Sequence, residues 1–178
     1  VLAIRTFGEV GTRPAEGVLE LLDEALANLP EEETRLRSQL LARRAHAVAH
    51  AMDDRDRASR EALECAERSG DPVSLRDAWF SRWWATLGPD KIEERFVVVE
   101  ALSRLADRTG DFRTRLLALE AEFNAHLVRG DADAIETTLA ALEQVALDLR
   151  QPAFVFMGMN YRTSWLINQG RFDEAEAL

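Results

Sequence analysis

The feature that most constrains this chain is a return at a fixed distance. Ala66-Glu67-Arg68-Ser69-Gly70-Asp71 comes back forty residues later as Ala106-Asp107-Arg108-Thr109-Gly110-Asp111. Leu127-Val128-Arg129-Gly130 comes back, again forty later, as Ile167-Asn168-Gln169-Gly170. A period of that size holds two helices and two short turns, the signature of a helical solenoid whose repeats bury their apolar faces only against one another. An irregular bundle could have helices of equal length but has no reason to keep the period.

The punctuation agrees. Pro14, Pro30, Pro72, Pro89 and Pro152 sit where helices can begin, the position at which a missing N–H costs nothing. Gly70, Gly88, Gly110, Gly130 and Gly170 sit where helices can end. The intervening stretches carry apolar residues at helical spacing, as in Ile135, Leu139, Leu142, Val145, Ala146 and Leu149, or Ile92, Phe96, Val99, Leu102, Leu105 and Ala106. Helices are expected near 14–28, 31–51, 55–69, 72–87, 90–109, 112–129, 132–149 and 153–169, with another opening at 171. Asp71, Asp111 and Asp131 are placed to cap or charge helix starts, as are Glu31, Glu32 and Glu33. Opposite charges four apart, Glu31 with Arg35, Glu33 with Arg37, Arg57 with Glu61 and Glu64 with Arg68, support the same helices. The expectation is an all-α domain over 1–178, a right-handed superhelical stack of hairpins, with 1–13 an irregular lead-in.

Charge and cysteine content narrow the partners. A net charge of −10 argues against phosphate-backbone affinity, so no direct nucleic-acid contact is expected. Lys91 is the only lysine, and the arginine and alanine bias marks a GC-rich bacterial genome. No apolar run reaches the roughly 20 residues that cross a bilayer, and no secretory leader is visible. A lone Cys65 fits a reducing compartment, and a buried, inert thiol is its expected state. The chain opens at Val1 and closes inside an expected helix, which reads as a piece of a longer cytoplasmic protein.

Residues that could carry chemistry are few. His46 and His50 share a helical face at zinc-binding distance, but Ala47 stands where a metallopeptidase has its glutamate and no third ligand is obvious. Asp53-Asp54-Arg55-Asp56 lacks the glycine of a calcium loop and any facing acidic cluster, so a turn between helices explains it. An all-α enzyme built on Asp53, Asp54 and Asp56 is the catalytic alternative. Trp79 and Trp83 fall on one helical face and Phe80 and Trp84 on another, so one side meets the neighbouring hairpins and the other can form a ligand groove. Phe154, Phe156, Met157 and Met159 are expected in packing. No Gly-x-Ser-x-Gly, ordered triad or carboxylate pair in a plausible pocket is present, and neither catalysis nor a metal nor a cofactor is expected.

Asn160 to Ala175, which ends in Asn168-Gln169-Gly170-Arg171-Phe172-Asp173-Glu174-Ala175, resembles the tetratricopeptide hinge, and residues 119–135 echo it around Gly130-Asp131-Ala132-Asp133-Ala134. The forty-residue period is longer than that family's thirty-four, so the repeats are similar to tetratricopeptides without matching their consensus. The resemblance implies that the first helix of each pair lines a concave face, which would put Arg82, Trp83, Glu120, Asn124, Asn160 and Ser164 toward a ligand groove. Several segments also resemble the helical-repeat region of large bacterial LuxR-type and cyclase-associated regulators that carry a signal-transduction ATPase. These are Leu21 to Pro30, Leu36 to Arg43, Ser69-Gly70-Asp71-Pro72, Gly88-Pro89-Asp90 and Leu149-Arg150-Gln151-Pro152. That likeness implies a binding and signal-coupling module with a protein, peptide or small-inducer partner. It also implies an ATPase and a helix-turn-helix elsewhere in the same full-length chain, since no Gly-x-x-x-x-Gly-Lys is present here. The alternative function is a structural or oligomerisation adaptor without a small ligand.

Overall fold

The computed structural model describes residues 17–48 and 51–178, so the expected lead-in at 1–13 lies outside the described residues. Among them the regular structure is entirely helical: α1 (Val18–Asn28), α2 (Thr34–Ala47), α3 (Met52–Ser69), α4 (Pro72–Ala85), α5 (Ile92–Thr109), α6 (Phe112–Arg129), α7 (Ala132–Asp148), α8 (Pro152–Asn168) and α9 (Phe172–Glu176), with a 3-10 turn at Pro89–Lys91 before α5. From α3 onward the helices open at residues 52, 72, 92, 112, 132, 152 and 172, one every twenty residues. The forty-residue period of the sequence is therefore a two-helix period of the chain.

The turns repeat atom by atom. Gly70 and Gly110 both adopt left-handed backbone, φ 65° and 63°, a conformation that costs a side chain but not glycine. The Gly70 N–H donates to the Ala66 carbonyl at 2.9 Å and the Gly110 N–H to the Ala106 carbonyl at 2.9 Å. Asp71 then caps α4, accepting from the Ser74 N–H and Oγ at 2.8 Å each. Asp111 caps α6, accepting from the Thr114 N–H at 2.9 Å and Oγ1 at 2.6 Å. Asp131 caps α7 through the Ala134 N–H.

Where a first helix ends without glycine, the next helix supplies an arginine. Arg55 is buried and donates to the Ala45 and Val48 carbonyls at the end of α2. Arg95, forty residues on, is buried and donates to the Thr86 and Gly88 carbonyls beyond α4. A guanidinium satisfies several carbonyls that helical bonding leaves orphaned. After α6 and α8, left-handed Gly130 and Gly170 take over, and the matching positions hold Ile135 and Ala175.

These caps account for the differences from the expected helix limits. The sequence places the second helix over 31–51, but Glu31–Glu33 form a turn and Arg37 ties back to the Leu26 and Leu29 carbonyls, so α2 opens at Thr34. It stops at Ala47 because Arg55 occupies its last carbonyls. Asp53 and Asp54 are not in a turn: α3 begins at Met52 and places both in its first helical turn, beside the positive end of the helix dipole. Two of the expected charge pairs are replaced by shorter reaches, Arg57 to Asp54 and Arg68 to the Cys65 sulfur.

The chain divides into two compact units, Val1–Ala101 and Leu102–Leu178. In the first, α1 packs on α2, α2 on α3 and α4, and α3 on α4; its core holds Leu41, Ala42, Ala62, Cys65, Ala66 and Ala78. In the second, α6 packs on α7, α7 on α8 and α8 on α9, around Leu116, Leu119, Phe123, Ile135, Leu139, Leu142, Met157 and Trp165. One column of small residues recurs every forty positions, Ser38, Ala78, Ala118 and Gly158, and each is buried. Small side chains there let neighbouring helices approach closely. No helix among the described residues is long and apolar enough to cross a membrane.

Candidate functional site

In the first unit, charge and aromatic groups gather on α3, α4 and the start of α5. Arg82 is only 3% exposed; its guanidinium reaches Asp56 Oδ1 at 2.9 Å, Ser59 Oγ at 2.9 Å and the Glu94 carboxylate. Lys91 adds a further contact to Asp56 at 2.8 Å, and Arg60 another within α3. Burial alone would raise the Asp56 carboxyl, but hydrogen bonds from Arg60, Lys91 and Arg82 overcome it and hold it well below the usual carboxylate range. Asp56 is thus held as an anion between cations.

Trp83 is as buried as Arg82 and stacks on Phe80, with centroids 5.4 Å apart and planes at 16°. Trp84 meets Trp83 edge-on at 5.0 Å and Phe80 at 6.4 Å, while the His46 ring of α2 meets Phe80 at 5.6 Å and Trp84 at 6.3 Å. Phe80, Trp83 and Trp84 therefore form one cluster, not the two opposed faces expected: neighbours three apart on a helix meet as readily as those four apart. Burial, assisted by the charges of Arg43 and Arg55, pushes the His46 imidazole down to about 4, so it is neutral near pH 7. His50 lies outside the described residues, and no group of three or more metal-ligating side chains occurs among those described. Cys65 is buried, and burial pushes its thiol up.

In the second unit the candidate residues come together on α6 and α8. Glu120 is 7% exposed; its Oε1 accepts the Tyr161 hydroxyl at 2.6 Å, and its Oε2 is buried without a partner. Burial raises this carboxyl to about 7, against the downward pull of the Tyr161 bond. Burial and the neighbouring Glu120 push the Tyr161 hydroxyl up in turn, and its ring stands edge-on to Phe123 at 5.0 Å. Asn124 is half-buried and donates to the Glu120 carbonyl at 2.8 Å. Asn160 is exposed on α8, and the Ser164 hydroxyl donates to its carbonyl at 2.8 Å. Beside them, Arg162 joins Glu143 of α7 at 2.8 Å and Glu136, whose second oxygen accepts the Trp165 indole N–H at 2.7 Å.

Of the six residues expected in a groove, Arg82, Trp83 and Glu120 are thus enclosed by protein, Asn124 and Ser164 are half-buried, and Asn160 is exposed on α8. Tyr161 is not among the six, although its place one turn before Trp165 on the same helix could have drawn attention to it. The pairing of Arg55 with Arg95 also escapes the sequence reading, although their forty-residue separation is visible in it. A cleft of about 410 Å³ at the turn between α5 and α6 has Ala106, Val145 and Leu149 in its wall and Asp107, Asp148 and Arg115 at its rim, and includes none of the six. Comparison of the chain with protein-family models, with curated proteins and with solved structures finds no match.

Proposed function

We propose that this chain is a non-catalytic helical-repeat module that binds a protein or peptide and couples that binding to output in a bacterial transcriptional regulator, its hairpins stacked as a right-handed tetratricopeptide-like superhelix. The observation that carries the reading is the twenty-residue spacing of helix starts, with the same aspartate caps and buried arginines recurring at forty. A chain built this way gains its stability from neighbour-on-neighbour contacts and offers an extended row of first helices to a ligand. On this reading Asn160, exposed on α8, is the first contact to consider, followed by the half-buried Ser164 and Asn124.

The mechanism is a population shift. Ligand on the first helices favours one packing of the array over another and so changes how the array sits on an ATPase elsewhere in the polypeptide. The test is the gene itself, read outward from both ends of this sequence. A P-loop ATPase before Val1 and a helix-turn-helix beyond Leu178 are expected. The absence of both overturns the regulator reading and leaves a free-standing repeat adaptor. Given such a regulator, Asn124→Ala and Asn160→Ala are expected to weaken its response to inducer while leaving the melting temperature unchanged; an unaltered response in both removes the groove assignment.

A further inference from the structure

The cleft of about 410 Å³ at the α5–α6 turn lies wholly within the second unit. Ala106, Val145 and Leu149 give it an apolar wall, and Phe112, 40% exposed, adds an aromatic ring. Opposed to that wall are two exposed carboxylates, Asp107 and Asp148. Asp148 accepts the Gln144 amide at 2.9 Å, and Asp107 stands 3.8 Å from the Arg115 guanidinium, beyond hydrogen-bonding reach. Neither carboxylate therefore holds a cation at hydrogen-bond distance among the described residues. A third aspartate, Asp111, is engaged in capping α6.

The forty-residue period shows that this lining is particular to one turn. One period earlier, Arg115 corresponds to Leu75, which packs against the cluster of Ala62, Ala66 and Ala78. Val145 corresponds to Leu105, which is 2% exposed, and Asp148 corresponds to Arg108. At the α5–α6 turn, then, one leucine has given way to an arginine whose side chain is 43% exposed. A second leucine has given way to the shorter valine, and a cation to an anion. The three exchanges withdraw apolar bulk from one place and make its rim negative.

We propose that this cleft binds a small organic cation, an amine carried on an apolar or aromatic stem. The ammonium group is taken by Asp107 and Asp148, and the stem lies along Ala106, Val145, Leu149 and Phe112. The volume is that of a small-molecule site, an apolar concavity with a few polar groups that fix orientation. Arg115 competes with the ligand for Asp107, so it opposes binding. The site goes beyond the protein or peptide contact proposed above and shares none of its residues.

The probe is phenethylamine, titrated into the intact chain at constant ionic strength and followed by calorimetry and by backbone amide NMR shifts. Saturable binding is expected, with the shifts gathered at the α5–α6 turn and the end of α7. Hydrocinnamate, which carries a carboxylate on the same ring and chain, is expected not to bind. Asp107→Asn and Asp148→Asn are each expected to weaken phenethylamine about threefold, the scale of an exposed charge pair. Both side chains are exposed, so neither variant is expected to lower the melting temperature. Arg115→Ala is expected to tighten binding by a similar factor, a gain that a merely damaged site cannot produce. Absence of saturable binding, shifts that map elsewhere, equal binding of hydrocinnamate, or weaker binding to Arg115→Ala overturns the proposal. None of these results touches the regulator reading, which stands or falls on the gene's flanking domains.

Discussion

Replacing Glu120 by glutamine makes a quantitative test of the α6–α8 contact. The carboxyl is enclosed, with one oxygen on the Tyr161 hydroxyl at 2.6 Å and the other without a partner, and burial lifts it from its ordinary 4.5 to about 7. A folded-state value above the unfolded one means that the native state holds a proton the unfolded chain releases. Stability from this group is full below the unfolded value and is lost as pH rises through about 7. Each pH unit between the two values is worth about 1.4 kcal/mol, so ionising Glu120 removes roughly 3 kcal/mol between pH 4.5 and 7. Glutamine keeps an acceptor for Tyr161 and cannot ionise. Its amide nitrogen stands where Oε2 lacks a partner, at a cost of about 1–3 kcal/mol that does not vary with pH. Urea unfolding of wild type and Glu120→Gln, followed by far-UV circular dichroism at pH 5 and pH 8, isolates the titration, because other groups cancel in the difference. The stability of the variant relative to wild type is expected to improve by about 3 kcal/mol on going to pH 8. A difference that is the same at both pH values would refute the assignment of a buried, raised carboxyl.

Other perturbations probe other levels of the structure. His46 is depressed to about 4, so its imidazole resonances are expected to stay unshifted on acidification until well below pH 6 in an NMR titration, and a midpoint near 6.5 would contradict its burial among Phe80 and Trp84. Here the unfolded chain takes up the proton first, so the stability contribution of neutral His46 is lost as pH falls from 6.5 toward 4, opposite in direction to Glu120. Asp111→Ala removes the acceptor for Thr114 and is expected to cost about 1–2 kcal/mol in thermal unfolding, with Asp111→Asn largely retaining stability; equal melting of the alanine variant and wild type would show that the cap is not needed. At Gly158 an added Cβ would lie 3.4 Å from Leu142 Cδ2 and 3.7 Å from Glu143 Cγ, ordinary contact distances, and positions 78 and 118 already hold alanine. Gly158→Ala is therefore expected to stabilise α8 by up to about 1 kcal/mol, and a lowered melting temperature would show that α7 cannot accommodate the methyl group.

The helix frame was legible because its determinants are local. Left-handed glycines, aspartate caps and first-turn prolines act within three or four residues, so Gly70-Asp71-Pro72 and Gly110-Asp111 could be located from the string alone and appear as expected. Limits went astray where a distant side chain intervened. Arg55 and Arg95 end α2 and α4 early by taking carbonyls from the neighbouring helix, and Arg37 delays the start of α2 in the same manner. The candidate site was harder to read, because facing was inferred from position in a repeat while enclosure depends on what lies across the helix. Glu120 and Asn160 occupy the same repeat position, yet Tyr161 covers the first and the second is exposed.

By itself the sequence determined the period, the helical class and most helix ends, since these follow from backbone propensities and caps that need no partner. Only the tertiary structure decided which polar groups lose water: that Arg82 would sit among Asp56, Ser59 and Glu94, that His46 would be neutral among rings, and that Glu120 would hold its proton up to about pH 7. Desolvation sums over every neighbouring atom, near or far in the chain, so it exists only once helices twenty and forty residues apart have packed.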